Sequence, residues 1–328
     1  MTRKILIASF FSAILLFCIQ PLHAQGWSLI KDSNGIKLFE RPISGTDLME
    51  YMAVGTIDAR IEVIGEALRD ISTWKDWVAD CKGTQLLKQI TRDDMIVYLV
   101  LEPPVIDDRD VIIKDKTTYD YEGGKAVVDF AATSEMTVPL QEGRIRVTIM
   151  NGVFDMEFLG REKTKFCYYL KTDPAGDIAK SVAYAVMKNY PYDSISDLRK
   201  VVKDKKFADR AKGSEIEKRV EAIHTNEGHV RRIFTARLGR LVKNKAALAA
   251  IMGADKENFK AIMGSHNSYP AFEKAAEEFF AQYLDKTTPG LGAKLKSNKK
   301  FKNELIDLIC TDSQARTATV EDIAAKYK

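Results

Sequence analysis

The stretch from Asp173 to Val202 constrains the fold of this chain more than any other. It reads DPAGDIAKSVAYAVMKNYPYDSISDLRKVV. Asp173-Pro174-Ala175-Gly176 has turn chemistry, with proline pre-set for the second position. Asp177 is placed to cap a helix whose apolar residues recur at helical spacing: Ile178, Val182, Val186, Ile195, Leu198 and Val202. Pro191 removes a backbone donor inside that run and should kink or split the helix. About 120 residues of mostly strand-like pattern precede the stretch. A long amphipathic helix after such a meander closes the open face of a sheet. Where side chains do not fill the space beneath it, an apolar cavity results.

At 328 residues the chain exceeds one typical domain. The net charge of +4 is unevenly spread: about −5 over residues 25–209, about +7 over 210–328 and about +2 before them. That asymmetry predicts two domains with different surfaces. Arg3 and Lys4, the apolar run Ile5–Ile19 and the Pro21-Leu22-His23-Ala24 segment have the layout of a secretory signal peptide cut after Ala24. The alternative is an uncleaved anchor, but the run is short for a membrane span. Export is therefore expected, to a bacterial periplasm first and to the outside as the alternative. Beyond the leader lie Cys81, Cys167 and Cys310, without CxxC or metal-ligand spacing. A Cys81–Cys167 bridge and buried free thiols both remain open.

The remaining pattern falls into order. Trp27–Phe39 reads as two strands around an Asp32-Ser33-Asn34-Gly35 turn, and Asp47–Ile57 as a third. Ile61, Ile64, Leu68 and Ile71 mark a helix ending before Trp74, and Trp74 and Trp77 read as core or rim aromatics. Strand pattern resumes at Thr84. It continues through Met95–Leu101, a Pro103-Pro104 break, Val111–Tyr119, a Gly123-Gly124 turn and Ala126–Ala132. Ile145, Val147 and Ile149 alternate with polar residues, and Asn151-Gly152 is a strong hairpin signal. Phe154, Met156 and Phe158 alternate with Asp155 and Glu157, and Lys165–Lys171 is the last strand.

Trp74 with Trp77, the run Pro104-Val105-Ile106-Asp107-Asp108-Arg109-Asp110-Val111, and Asp173-Pro174-Ala175-Gly176 leading to Pro191 and Leu198-Arg199 carry a resemblance. Over residues 27–203 the chain resembles the START family, the steroidogenic acute regulatory protein-related lipid transfer domains. The resemblance implies an α+β helix-grip fold, an antiparallel sheet closed by a long C-terminal helix, with one lipid-like molecule between them. Burying a hydrocarbon tail at about 0.8 kcal/mol per methylene gives useful affinity without any catalytic group. The turn at Gly176 and the break at Pro191 are the expected hinges for ligand entry.

The ligand-binding set expected from this reading is Arg109, Val111, Ile113 and Asp115 on one strand, Val147, Ile149, Phe154 and Met156 on neighbouring strands, and Ile178, Val182 and Val186 on the closing helix. Arg109 shares strand parity with Val111, Ile113 and Asp115. It would hold a head group with Asp115, pair with it, or reach solvent at the strand end. Asp115 stands where sterol-carrying members of the family tend to place a cation, which argues against a sterol. Of Tyr119, Tyr168, Tyr184 and Tyr190, no more than one is expected to offer its hydroxyl to a ligand.

No catalytic residue, metal site or cofactor is expected. The first domain has no histidine after the leader, no G-x-S-x-G, no P-loop and no H-E-x-x-H. From about Phe207 the pattern is helical: Ile216–Ile223, Val230–Leu241, Ala246–Met252, Phe259–Met263, Ala271–Tyr283 and Phe301–Ile309. Lys212-Gly213-Ser214 reads as a linker, and Thr319 with Asp322 as a capping box. His224 and His229 are five apart, which does not place two ligands on one helix face. The cluster Arg231, Arg232, Arg237 and Arg240 and the lysines from Lys294 to Lys302 suit an anionic membrane surface, or are simply solvated. Nucleic acid is set aside, since an exported protein rarely meets it.

The expected organisation is a signal peptide at 1–24, a lipid-binding domain at 25–206 and an all-α basic domain at 207–328. The expected function is to bind a hydrophobic ligand and, beyond that, to shuttle it between membranes. The rivals are a cyclase- or aromatase-like cavity enzyme of the same superfamily, and an interaction module whose cavity is filled.

Overall fold

The computed structural model describes residues 26–254, 268–316 and 318–328. The leader, the expected helix Phe259–Met263, His266 and the side chains of His224 and Arg231 lie outside the described residues. Ten strands form one sheet in the order β1-β2-β3-β10-β9-β7-β6-β5-β4, with β8 beside β6. The strands are β1 Ser28–Ser33, β2 Ile36–Pro42, β3 Met49–Ile57, β4 Cys81–Gln89, β5 Met95–Leu101, β6 Asp108–Asp120, β7 Lys125–Ala132, β8 Arg144–Arg146, β9 Ile149–Gly160 and β10 Lys163–Asp173. Every pairing is antiparallel except β6 with β8. The fold is α+β, with helices on the sheet and a further helical region after them.

Local chemistry explains the elements. Asn34 and Gly35 both take positive φ, 53° and 65°, which is the two-residue turn that matches strand twist and joins β1 to β2. Helix α1, Ile61–Arg69, turns Ile61, Ile64 and Leu68 inward, and a short 3-10 turn, Ile71–Asp76, delivers Trp74 to the core. The closing element is two helices, α2 (Lys180–Met187) and α3 (Tyr190–Val201). Pro191 sits in the first turn of α3, where its missing N–H costs nothing, so the expected break becomes a helix start. Asp177 does not cap α2: that helix begins at Lys180, and its Ala179 cap makes no side-chain bond.

The expected hairpin at Asn151-Gly152 does not form. Both residues lie inside β9, where Gly152 pairs with Phe130 and Leu170. A Cβ on Gly152 would stand 2.0 Å from the Phe130 ring, so this glycine makes room for an aromatic rather than for a turn. The strand expected through Ile145 and Val147 is only the three residues of β8.

One apolar core lies between the sheet and α1, α3, α4 (Lys205–Ala211) and α5 (Glu215–Thr225). Phe207 and Ala211 are fully buried in it, and Ile216 and Val220 join them. Lys203 and Asp204 form an exposed turn after Val202, and Asp204 caps α4 by accepting from Lys206 N. Ser214, expected in a linker, caps α5 by accepting from Glu217 N at 3.0 Å. A second core gathers Phe158 and Leu159 from β9 with α6 (Glu227–Leu241), α7 (Lys245–Ala254), α8 (Tyr269–Thr287), α9 (Leu291–Ser297), α10 (Lys299–Cys310) and α11 (Val320–Ala325). The Thr319–Asp322 capping box is present at α11. The three cysteines are free: Cys81 packs against the inner core, whereas Cys167 packs against a separate cluster around Trp27 and Phe39. No helix among the described residues is long and apolar enough to cross a membrane.

Candidate functional site

A cavity opens inside the first core, between the sheet and α1, α3 and α5. Its walls come from every central strand. Leu99 and Leu101 of β5, Ile113 of β6, Val128 and Phe130 of β7, Phe154 and Met156 of β9 and Leu170 of β10 supply hydrocarbon, and Trp74, Trp77, Tyr168 and Tyr190 supply aromatic faces. The cavity volume is about 90 Å³. The cavity is narrow, and a bulky occupant must spread its walls.

Aromatic packing explains why the wall holds its shape. Phe154 stands at the centre of a cluster with Trp77, Phe130, Phe166 and Tyr168, at centroid distances of 4.7–5.7 Å. Trp74 Nε1 donates to Leu68 O at 2.9 Å, but Trp77 Nε1 has no partner in its buried position. Both tryptophans line the cavity as well as the core.

Polar groups collect along one side. Arg69, the last residue of α1, donates from Nη1 to Asp93 Oδ1 at 2.9 Å and from Nη2 to Glu66 Oε1 at 2.6 Å. Its Nη1 is also 3.5 Å from the Tyr119 hydroxyl, and its buried Nε has no partner. Thr117 Oγ1 donates to Asp93 O at 3.0 Å. Asp115 accepts from Met95 N and makes no ion pair among the described residues. Burial pushes its carboxyl up to about 6, with Asp94 and Asp93 adding to the backbone-opposed effect. Glu62 faces the same space; burial raises its carboxyl too, against the pull of Arg60 at 2.9 Å, and its Oε2 has no partner. Desolvation likewise raises the Tyr119 and Tyr168 phenols, which stay protonated. The site is thus an apolar slot with an incompletely satisfied polar edge. Among the described residues no group of histidines, cysteines and carboxylates could hold a metal ion.

Residues 23–206 match the START domain profile. The chain belongs to the START domain family. An uncharacterised protein of Pseudomonas aeruginosa is 26% identical over 176 residues, covering 54% of this chain and 86% of that protein. Human phosphatidylcholine transfer protein is 25% identical over 184 residues, covering 55% of this chain and 85% of the relative. The crystal structure of a STAR-related lipid transfer protein fragment from Xanthomonas axonopodis superimposes with a TM-score of 0.50 at 24% identity, over 55% of this chain and 99% of the fragment. The START fold accounts for the sheet, α1 and the closing helices, and for a hydrophobic ligand-binding cavity between them.

Against this START cavity the expected residues divide. Ile113, Asp115, Phe154 and Met156 line it. Val111 and Val147 are buried in the surrounding core without reaching its surface. Arg109 lies elsewhere: it does not meet Asp115 but donates to main-chain oxygens of Asp107, Pro174 (3.1 Å) and Ala175 (3.3 Å). Parity placed it on the inner face correctly, but the return of the chain at Pro174 claimed its guanidinium. Ile149 is 48% exposed. Ile178, Val182 and Val186 are not among the lining residues, because α2 leans on Tyr51 and Met49 at the side of the sheet. Of the four tyrosines, Tyr119, Tyr168 and Tyr190 line the cavity and Tyr184 does not. Sequence reasoning missed Arg69, Asp93 and Thr117, since a helix-end arginine and a turn aspartate look solvated in one dimension. It also missed Ile216, Val220 and Ile223 of α5, although their helical spacing was visible.

Proposed function

We propose that this protein binds an amphiphilic lipid with a slender hydrocarbon portion and carries it between membranes. The observation that carries the reading is the narrow apolar slot with a polar edge at Arg69, Asp93, Asp115 and Tyr119, where the buried Arg69 Nε, Glu62 Oε2 and Trp77 Nε1 have no hydrogen-bond partner. A hydrocarbon chain gains about 0.8 kcal/mol per methylene on entering such a slot. A head group bearing hydrogen-bond donors would answer the uncompensated Asp115 carboxylate, and an acceptor would answer Arg69 Nε and Trp77 Nε1. Carriage rather than turnover fits this lining, in which shape and burial supply the affinity. The name of the human relative, a phosphatidylcholine transfer protein, supports lipid as the ligand class.

Entry requires movement, and in this reading the part that moves is α2. Arg199 of α3 donates to Thr56 O, Asn34 O and Gly35 O at 2.8, 2.7 and 3.2 Å, so α3 is pinned to the β1–β2 turn. α2 is held by a small apolar cluster with Tyr51, by the Tyr184–Glu40 hydrogen bond and by the exposed pair Lys180–Asp47. Val105, Leu140 and Ile149 are exposed apolar residues, and Ile149 pairs with Asp173 at the start of the turn that precedes α2. Val105 is 87% exposed at a φ of 64°, a conformation a β-branched residue rarely keeps without cause. In this reading α2 swings away while Val105 and Leu140 dip into the bilayer, and the leader exports the protein to the compartment where it works.

The test is native mass spectrometry of the full chain purified from cells, with identification of released small molecules, followed by transfer of a fluorescent phospholipid between donor and acceptor vesicles. A discrete lipid adduct and catalysed transfer support the reading. A bare mass that stays bare after incubation with mixed lipids would sink it.

A further inference from the structure

We propose that helix α5, which lies beyond the START module, is a wall of the ligand site and sets the length of hydrocarbon that the site accepts. The proposal rests on the lipid-binding reading above. The family match ends at residue 206, whereas Ile216, Val220 and Ile223 of α5 line the cavity. They are spaced as one helix face, and all three are buried. Around them the cavity is walled by Ile61 and Gly65 of α1, by Tyr121 and Gly124 of the β6–β7 turn and by Phe158 of β9. α5 therefore spans the gap between α1 and the strand turns, and it presents only hydrocarbon to the space beneath.

The helix is fastened from all sides of that gap. Arg60, just before α1, donates to Glu217 Oε1 at 2.6 Å. Arg161, in the β9–β10 turn, pairs with Glu221. Arg219 lies over the Tyr121 ring, 5.0 Å from its centroid. Ser214 fixes the first turn, and Gly213 N donates to Glu217 Oε2. A wall held in this way is part of the resting site, so side-chain bulk on its inner face fixes how far a tail can extend. Val220, in the middle of that face, is the residue to vary.

The experiment uses the full chain and a series of lysophosphatidylcholines from lauroyl to stearoyl, competed against one another and read by native mass spectrometry. Val220→Phe fills the space, and Val220→Ala enlarges it; circular dichroism checks that both fold. Val220→Phe should move the preference toward shorter tails, by about fourfold in relative affinity for each methylene excluded. Val220→Ala should move it toward longer ones. If both variants keep the wild-type order of chain lengths, or weaken all lengths equally, α5 is packing and not a gauge, and the proposal fails. If the wild-type chain takes up no member of the series, the lipid-binding reading itself fails, which is a different result.

Discussion

Glu157 and Arg237 meet across the junction of the sheet with the helical half, Oε2 to Nε at 3.2 Å, both nearly devoid of solvent. Glu157 lies on β9, and Arg237 on α6. The carboxylate also accepts Lys165 at 2.9 Å, Arg240 at 3.3 Å and Lys125 at 2.5 Å. Burial alone would raise its pKa, but Arg237, Lys165, Arg240 and Lys125 outweigh that and hold it far below the ordinary carboxylate range. Arg237 donates further to the carbonyls of Phe158 and Gly124, next to the cavity wall. Arg237, which reads as basic surface in sequence, is therefore spent inside the molecule, while Arg240 stays exposed and pairs inward with Glu157 and Asp312.

Glu157→Gln should destabilise the protein by about 3–5 kcal/mol, because Arg237 and Lys165 are left buried without a counter-charge. A carboxyl with depressed pKa contributes stability above its ordinary value near 4.5 and loses it as pH falls through the folded-state value. Denaturant unfolding of wild type and variant at neutral and acid pH should show the gap shrinking in acid. An equal gap at both would remove Glu157 as the tie.

Asp115→Asn should stabilise the empty protein. A carboxyl raised from 3.8 to about 6 favours folding fully below the lower value and loses that contribution as pH climbs through the higher one. The gain in melting temperature should be near zero in acid, grow across that window and then level off. The Asn side chain still accepts from Met95 N, so packing is kept. A gain independent of pH would contradict the assigned charge. If Asp115 also meets the head group, the same variant binds a cationic amphiphile more weakly.

Val105→Asp and Leu140→Asp should slow lipid transfer between vesicles by about tenfold or more while leaving melting temperature within about two degrees. Both side chains are largely exposed, so little packing is lost, whereas a buried carboxylate at a bilayer surface is costly. Transfer rates unchanged in both variants would move the docking surface elsewhere, with the exposed lysines near Lys299 and Lys300 the next place to look.

Gly152→Ala should cost about 1–3 kcal/mol and shrink the cavity, since the new methyl must push the Phe130 ring toward Phe154 and Tyr168. A thermal melt and a titration with a single-chain amphiphile check both halves. A variant as stable and as retentive as wild type would show that the ring has free room.

Strand alternation in Phe154, Met156 and Phe158, the apolar run of β5 and the helical spacing in α1 and α3 were legible, because each depends on neighbours a few residues away. Pro191 marked its break correctly for the same local reason. Asn151-Gly152 failed because the same pair serves a turn or a close approach, and only the Phe130 ring on β7 decides which. Arg109 failed in role though not in face, because its partners arrive from residues 174 and 175.

The sequence by itself determined the class of fold, the inward faces of the strands and the apolar character of the space beneath α3. Those follow from period, burial and turn chemistry, which act along the chain. The tertiary structure alone decided that Arg69 and Asp93 edge the cavity, that Glu157 gathers cations from β7, β10 and α6, and that α5 closes a space begun by strands more than a hundred residues earlier. The physical reason is that desolvation is set by what packs against a group, and a charge or an isoleucine carries no mark of its eventual neighbours.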